Sequence, residues 1–503
     1  MTNVKFDLAI IGGGICGLSH AAAAASKGLK VAVFEKNIRC LDASARNFGL
    51  LTQLYDDGAR NGRLAARSRE LYELWSRAGG LPFKRTSSLQ LAQSESQLKL
   101  LHAFSKAVLK KGIMKCEVIN AEEAQRLAPA LSISSSLHEN SKSNKILGAL
   151  YIHGDALIEP RVLTASLPSF LSSSLSSSIV ETSRGVPYTP VTLRCLEAVH
   201  SIKQESTNSQ HSLKLTTSRG NVAFASHVAV CSGADVVSLL PHVFSKHSSS
   251  LKLCKLQMMR LGLPKKLNST VRETLPLPVT SGLTLRRYPA FSAFAPLERE
   301  EMIQAEKDEI ADTLGIHIIA RPSAKLPRTS FGNVVFNSQN NNTLKEQEMD
   351  ESEVIVGDSH QYLPLPVISH SSNNLVSRDE VMQNVFDEAC DENVTNEILR
   401  VAGTMLKGVH GLYRHRIYRN NNEKENNIQQ GENAHLLSQW TGMYLQHNKG
   451  LLNVNYRSTI CETNGKLDEE EDQGSVHIVT GLGGAGMTLS PALGEDNVNN
   501  WFR

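Results

Sequence analysis

The sequence predicts an α/β protein: a discontinuous Rossmann-like domain joined to a second domain built on a mixed, largely antiparallel sheet. Three observations predict it. A strand, a glycine turn, a helix and a second strand follow one another from residue 5, a second strand and glycine loop sit near the C-terminus, and strand and helix patterns alternate between them.

The first unit reads KFDLAII (strand), GGGICG (turn), LSHAAAAASKG (helix of small residues ending at Gly28) and LKVAVFEKN (strand). A right-handed crossover makes its two strands parallel neighbours. Helical periodicity follows at 58–78 and 94–111, and LGALYIHGDALIEPRVLTASLPSFL reads as a strand, a turn and a helix opened at Pro160. HVAVCSGAD is a strand running into a helix at VVSLLPHVF. Further strands are expected at KLCKLQMMRLGL, GLTLRRYPAF, IHIIA, SEVIVGDSHQY, WTGMYLQH and VHIVTG. The Rossmann-like domain is expected to comprise 1–84, 151–244 and 436–503, and the second domain 85–150 and 245–435. Polar tracts at 134–144, 172–178, 204–212, 337–353, 419–433 and 466–474 are expected to be disordered insertions, because their Asn, Ser and Glu bury too little apolar surface to offset ordering entropy.

Composition narrows the function. The chain has 503 residues, 41% of them apolar, with 53 Lys and Arg against 50 Asp and Glu. This is ample for two cores, and no basic stripe with interleaved aromatics marks a nucleic-acid surface. The eight cysteines are scattered without metal-ligand spacing, which points to reduced thiols and no metal site. No run reaches membrane-spanning length and the first strand leaves no room for a signal peptide, so a soluble cytoplasmic protein is expected.

The glycine turn is Gly12-x-Gly14-x-x-Gly17, with Glu35 eighteen residues beyond. Gly12 permits the turn, Gly14 lets backbone approach a pyrophosphate, and Gly17 lets helix and strand pack closely. Ile15 and Cys16, in the turn, lead into the helix whose N–H groups face phosphates, while Glu35, followed by Lys36, is placed to accept from ribose hydroxyls. Three later features favour FAD over a nicotinamide cofactor. LDASARNFGLL brings Ser44, Arg46 and Asn47 to a loop suited to phosphates and ribityl hydroxyls. HVAVCSGAD places Gly233 just past a strand end. VHIVTGLGGAGMTLSPALGE offers Gly483, Gly484, Gly486, Met487 and Thr488 at a helix start that would favour negative charge on a reduced flavin.

These motifs, in this order, resemble the D-amino-acid oxidase family of FAD-dependent oxidoreductases, which includes glycine and sarcosine oxidases. ASARNFG, KLQMMR, VIVGDSHQY, WTGMY and TGLGGAGMTLSPALGE together look like the branch proposed to oxidise aminophosphonate-type amines. The resemblance implies hydride transfer from an amine-bearing carbon to flavin, an imine that water hydrolyses, and reoxidation by an acceptor, usually oxygen. Some relatives attach FAD through a cysteine near WTGMYLQH. None stands between Trp440 and His447, so the FAD is expected to be non-covalent. The rivals are an NAD-dependent dehydrogenase and a flavin-binding paralogue without turnover.

Substrate-side candidates are fewer. Adjacent strand positions at Arg286 and Arg287 would send only one guanidinium into the pocket, and Tyr288 would share the face of Arg286. Either arginine suits a carboxylate or phosphonate. Trp440 and Tyr444 are read as a flavin-side wall or as core. His153 and Asp155 are read as structural. Gly357-Asp358-Ser359 resembles a hydrolase nucleophile motif, but His360 would point away from Ser359 on a strand and cannot be its base. His360 and Tyr362 are instead expected to share a face and line the substrate pocket.

Overall fold

The computed structural model describes residues 5–79, 81–133, 145–173, 188–207, 210–240, 247, 249–263, 274–306, 313–320, 353–363, 389–420, 434–448, 450–456 and 475–503. The expected insertions at 134–144 and 466–474 lie outside them, as do nearly all of 172–178, 337–353 and 419–433. Among the described residues no helix is long and apolar enough to cross a membrane.

Eighteen strands form two sheets among the described residues. In chain order they are β1 (Lys5–Ile11), β2 (Val31–Glu35), β3 (Leu50–Leu51), β4 (Phe83–Ala92), β5 (Cys116–Asn120), β6 (Gly148–Ile158), β7 (Thr192–Cys195), β8 (Val199–Thr207) and β9 (Gln210–Thr217). There follow β10 (Val222–Val230), β11 (Leu251–Gly262), β12 (Val279–Thr280), β13 (Leu314–Ala320), β14 (Glu353–Ser359), β15 (Gln361–Leu363), β16 (His435–His447), β17 (Leu452–Tyr456) and β18 (Val476–Thr480).

The first sheet runs β17-β18-β10-β1-β2-β7, with the β8–β9 ribbon joined to β10. Its centre is parallel: β1 pairs with β2 and β10, and β10 with β18. Such strands are covered on both faces, which is why β2 and β18 are buried throughout. The helices Ile15–Ala25 and Gly486–Trp501 pack on one face closely enough that a Cβ on Gly494 would lie 2.7 Å from Ser19 backbone carbon. That contact, with Arg67 bonding Glu495 from the helix Arg60–Gly79, joins the two ends of the chain in one layer.

The second sheet runs β15-β11-β14-β13-β12-β4-β6-β3, with β16 on β11 and β5 on β6, and only the β12–β4 pairing is parallel. The helix Glu392–Gly403 buries Ile398, Leu399, Val401 and Ala402 against it. The expected segment boundaries at 151 and 436 fall inside β6 and β16, both in this second sheet.

Three expected elements differ. GLTLRRYPAF is not a strand but a 3-10 turn, Gly282–Arg286, followed by a helix, Pro289–Phe294. Ser281 N bonds Ile316 O, Gln97 packs where a Cβ on Gly282 would be, and Pro289 lacks a ladder donor but suits a helix start. Of the tract 204–212, expected to be disordered, residues 204–207 and 210–212 lie in the β8–β9 ribbon, whose pairs extend to Thr207 and Gln210. YIHGDALIEP contains no turn: β6 passes through Gly154 at φ 84° and runs on to Ile158.

Candidate functional site

A cavity of about 560 Å³ lies along the C-terminal ends of β1, β10 and β18 and reaches β16. Its wall includes Gly12, Gly14, Ile15, Cys16, Glu35, Lys36, Ser44 and Arg46 from the N-terminal segment. Ligands in open parallel sheets sit at that edge, where loops carry exposed N–H groups.

The glycine turn is imposed by close approach. Gly12 has φ 107°, and a Cβ there would lie 2.5 Å from the Cys231 carbonyl oxygen; a Cβ on Gly17 would lie 2.0 Å from the Gly12 carbonyl oxygen. The Glu35 carboxylate, 8% exposed, accepts from Gly13 N (2.8 Å) and Asn37 N (2.9 Å). Burial pushes its pKa up, against the pull of those two N–H groups. Ser44 Oγ accepts from Ile15 N at 3.0 Å. Arg46 donates to Leu41 O and, across to β16, to Thr441 O. Lys36 pairs with Asp235 at 2.6 Å.

The second glycine loop completes the wall with Gly481, Leu482, Gly483 and Gly486; Gly233, at φ 58°, lies alongside, its carbonyl accepting from Thr480 Oγ1 at 3.2 Å. Five expected residues stand behind the wall. Gly17 is in the helix packing, and Asn47 is spent within its own loop on Ala43 O, Ser44 O and Gly49 N. Gly484 faces Tyr55, while Met487 and Thr488 are buried in the helix.

Beyond the Tyr444 end of the cavity lies a cluster of ionisable groups. Arg287 Nη1 lies 2.8 Å from His360 Nδ1. A guanidinium only donates, so Nδ1 accepts and the His360 proton sits on Nε2, 3.6 Å from Asp358 Oδ2. On the other side of the carboxylate, His317 Nδ1 is 3.6 Å from Asp358 Oδ1 and 3.2 Å from Gly315 O, and its Nε2 lies 2.9 Å from Tyr288 OH. Nδ1 therefore carries the hydrogen and Tyr288 donates to Nε2. Burial pushes the Asp358 carboxyl up, but His360, His317 and Arg287 outweigh it and hold the group below its usual range. Burial also lowers His360 to about 4, so the imidazole is neutral at physiological pH. Tyr288 is buried and Tyr55 and Tyr444 are partly buried; desolvation shifts all three up, and they stand within reach of the Asp358 charge.

The turn at 282–286 changes which expected residues meet. Arg286 is turned away from the cluster onto the backbone oxygen of Glu306, with its carboxylate 4.0 Å off; Arg287 is the guanidinium beside His360. Tyr288 does enter the cluster. His360 and Tyr362 do not share one environment, because β14 ends at Ser359 and β15 starts afresh at Gln361. Tyr362 is 46% exposed, under Lys252 and 3.3 Å from Gln446 Oε1. Tyr444 lines the cavity, whereas Trp440 packs with Phe48 and Met258. Asp155 is structural, accepting from Gln53 N and Ser88 Oγ. Sequence reasoning missed His317 and Tyr55, for which no local pattern exists.

Comparison with known proteins fixes the family. The profile of the FAD dependent oxidoreductases matches residues 7–497. The chain belongs to that FAD dependent oxidoreductase family. Among curated proteins, 165 residues are 28% identical to glycerol 3-phosphate dehydrogenase of Caloramator mitchellensis, a match that spans 32% of this chain and 32% of that relative. Glycine oxidase from Geobacillus kaustophilus has a similar fold (TM-score 0.59, 17% identity, 99% of this chain and 95% of that one). So does FAD-bound L-alpha-glycerophosphate oxidase from Mycoplasma pneumoniae (TM-score 0.57, 13% identity, 99% and 95%).

The residues present in this FAD dependent oxidoreductase fit the cofactor. The helix Ile15–Ala25 has no side-chain cap from Gly14, and the helix Gly486–Trp501 has none from Ala485, so both present N–H groups without a capping side chain of their own. Ser232 Oγ, in the cavity wall, is buried with no hydrogen-bond partner among the described residues. A polar ligand with phosphates and hydroxyls would satisfy all three. Family membership also overturns the reading as an NAD-dependent dehydrogenase.

Proposed function

We propose that this protein oxidises the C–N bond of a small amine bearing an acidic group, an amino acid or an aminophosphonate. Gly12, Gly14, Ile15 and Cys16 cradle the FAD phosphates, Glu35 holds ribose hydroxyls, Ser44 and Arg46 close over the chain, and Gly483 and Gly486 border the ring, all without a covalent bond. Bound FAD supplies the hydride acceptor, and we take oxygen as the final electron acceptor. The observation that carries the substrate reading is the Arg287 guanidinium and an anionic Asp358 linked through His360, with His317 between Asp358 and Tyr288.

A guanidinium and a carboxylate on either side of one imidazole complement a substrate carrying both an acid and an amine. Asp358 Oδ1 is buried and lacks a hydrogen-bond partner among the described residues, which supports an ammonium or amine N–H as its missing donor. Neutral His360 holds Asp358 in place without cancelling its charge, His317 flanks the other carboxylate oxygen, and Tyr55, Tyr288 and Tyr444 keep water from the reacting carbon.

Anaerobic flavin bleaching tests this. Aminophosphonates, N-methyl amines, D- and L-amino acids, 2-hydroxy acids and sn-glycerol 3-phosphate would be mixed with the flavin-loaded protein in parallel. Bleaching by members of the amino classes is expected. Bleaching only by the alcohols would refute C–N oxidation, and none at all would indicate a flavin-binding paralogue without turnover.

A further inference from the structure

The floor of the dinucleotide cavity carries a thiol cluster that C–N oxidation does not use. Cys16 is the second residue of the helix Ile15–Ala25, and Cys231 follows β10, its N–H bonded to Ile11 O. Cys16 Sγ, Cys231 Sγ and His20 Nδ1 all lie within 4.8 Å of one another, with the sulfurs 3.9 and 4.0 Å from the imidazole nitrogen. Both cysteines line the cavity.

Such a group has the residue types of a metal site, but the hydrogen bonds argue against one. Asn453 Nδ2 donates to Asn497 Oδ1 at 2.8 Å, which leaves Asn497 Nδ2 to donate to His20 Nε2 at 3.0 Å. His20 therefore carries its hydrogen on Nδ1, and that hydrogen points to Cys16 O at 2.7 Å and towards the sulfurs. Neither ring nitrogen has a lone pair to give a metal. Two thiols remain, beside an N–H donor.

The two thiols are unequal. Hydrogen bonding from Cys231 lowers Cys16 to about 5 in spite of its burial, while Cys231, the donor, is pushed up. Burial instead raises Cys40 and Cys254 to about 12, and Cys116, Cys195 and Cys390 also shift up. Among the described cysteines, Cys16 alone is shifted toward thiolate, the nucleophilic form, with a second thiol at hand.

We propose that Cys16 and Cys231 are a modification site, an oxidisable thiol pair that a hydroperoxide converts into a disulfide. The Cys16 sulfur attacks a peroxide oxygen, the O–O bond breaks, and the departing oxygen leaves as water after taking a proton. The Cys231 sulfur then displaces water from the resulting sulfenic acid. In sum two thiols give up two protons and two electrons, and one hydrogen peroxide becomes two waters. Closing the sulfurs to the ~2.05 Å of a disulfide draws the first turn of the helix toward Cys231. That turn is the one assigned above to the FAD phosphates. The effect on cofactor retention rests on that assignment; the disulfide itself does not.

The test treats the flavin-loaded full chain with hydrogen peroxide, then maps peptides without reduction. A Cys16–Cys231-linked peptide, two hydrogens lighter and reversed by dithiothreitol, is expected, with a several-fold rise in flavin lost on gel filtration. In Cys231→Ser, dimedone should label Cys16; in Cys16→Ser, neither linkage nor label should form. Alkylation of both thiols after peroxide at the rate of the untreated protein would overturn the site. So would masking of both thiols by zinc alone, which would make the cluster a metal site. Linkage without flavin loss would keep the thiol pair and refute the cradle assigned to this turn.

Discussion

Arg287 Nη1 stands 2.8 Å from His360 Nδ1, and this contact fixes which way the histidine faces. With Nδ1 occupied by a donor, the remaining N–H points to Asp358, so guanidinium, imidazole and carboxylate form one line. Replacing Arg287 by Ala should raise KM for acidic amines and lower kcat/KM by roughly 10- to 100-fold, the loss of a charge-assisted hydrogen bond of about 1.5–3 kcal/mol. Arg286→Ala should leave KM within about two-fold, because its partner is Glu306. Steady-state kinetics on the two variants separate these outcomes; equal effects would refute the assignment of Arg287.

The same histidine makes stability depend on pH. His360 titrates near 4 when folded, against 6.5 ordinarily. Between those values the unfolded chain binds a proton that the folded chain refuses, so stability falls as pH drops through that window. His477, lowered to about 3 by burial and its histidine neighbours, acts in the same direction. Asp358, held below its usual range, contributes stability above its unfolded pKa that is lost as pH falls further. The loss of melting temperature from pH 7 to pH 4 relative to the trend of the other groups should be smaller in His360→Gln than in the parent. An unchanged slope in that variant would show that His360 is not buried neutral.

Glu35 was legible from spacing because its task is local: it closes the turn between two adjacent parallel strands and bonds Gly13 and Asn37. The glycines were legible for the same reason, since Gly12 and Gly17 leave no room for a side chain. The substrate side was not. Whether Arg286 or Arg287 faces inward depends on a 3-10 turn set by Gln97 and Ile316, which are distant in sequence. His317 gains meaning only because β13 brings it to Tyr288 and β14 brings Asp358 alongside. Tertiary partners outweighed the strand propensity of LTLRRY.

Glu35→Gln tests the cofactor side. Both Glu35 oxygens accept backbone N–H groups, and an amide would set its own NH2 against one of them. FAD binding should weaken by roughly 10- to 100-fold, consistent with one lost charged hydrogen bond. The flavin-to-protein ratio after desalting measures it; full retention would remove Glu35 from the cofactor site.

Ser359 offers the last discrimination, because the Gly-Asp-Ser motif could be read as a nucleophile. Its Oγ accepts from Gln257 N at 3.0 Å, so the hydroxyl is engaged in joining β14 to β11. Asp358 next to it belongs to the histidine and arginine cluster, which gives that residue a separate role. Ser359→Ala leaves a buried N–H without its acceptor, at a cost of about 1–3 kcal/mol. The expected result is a lower denaturation midpoint with anaerobic flavin reduction within about two-fold of the parent. Abolished reduction in a folded, flavin-loaded variant would return Ser359 to the chemistry.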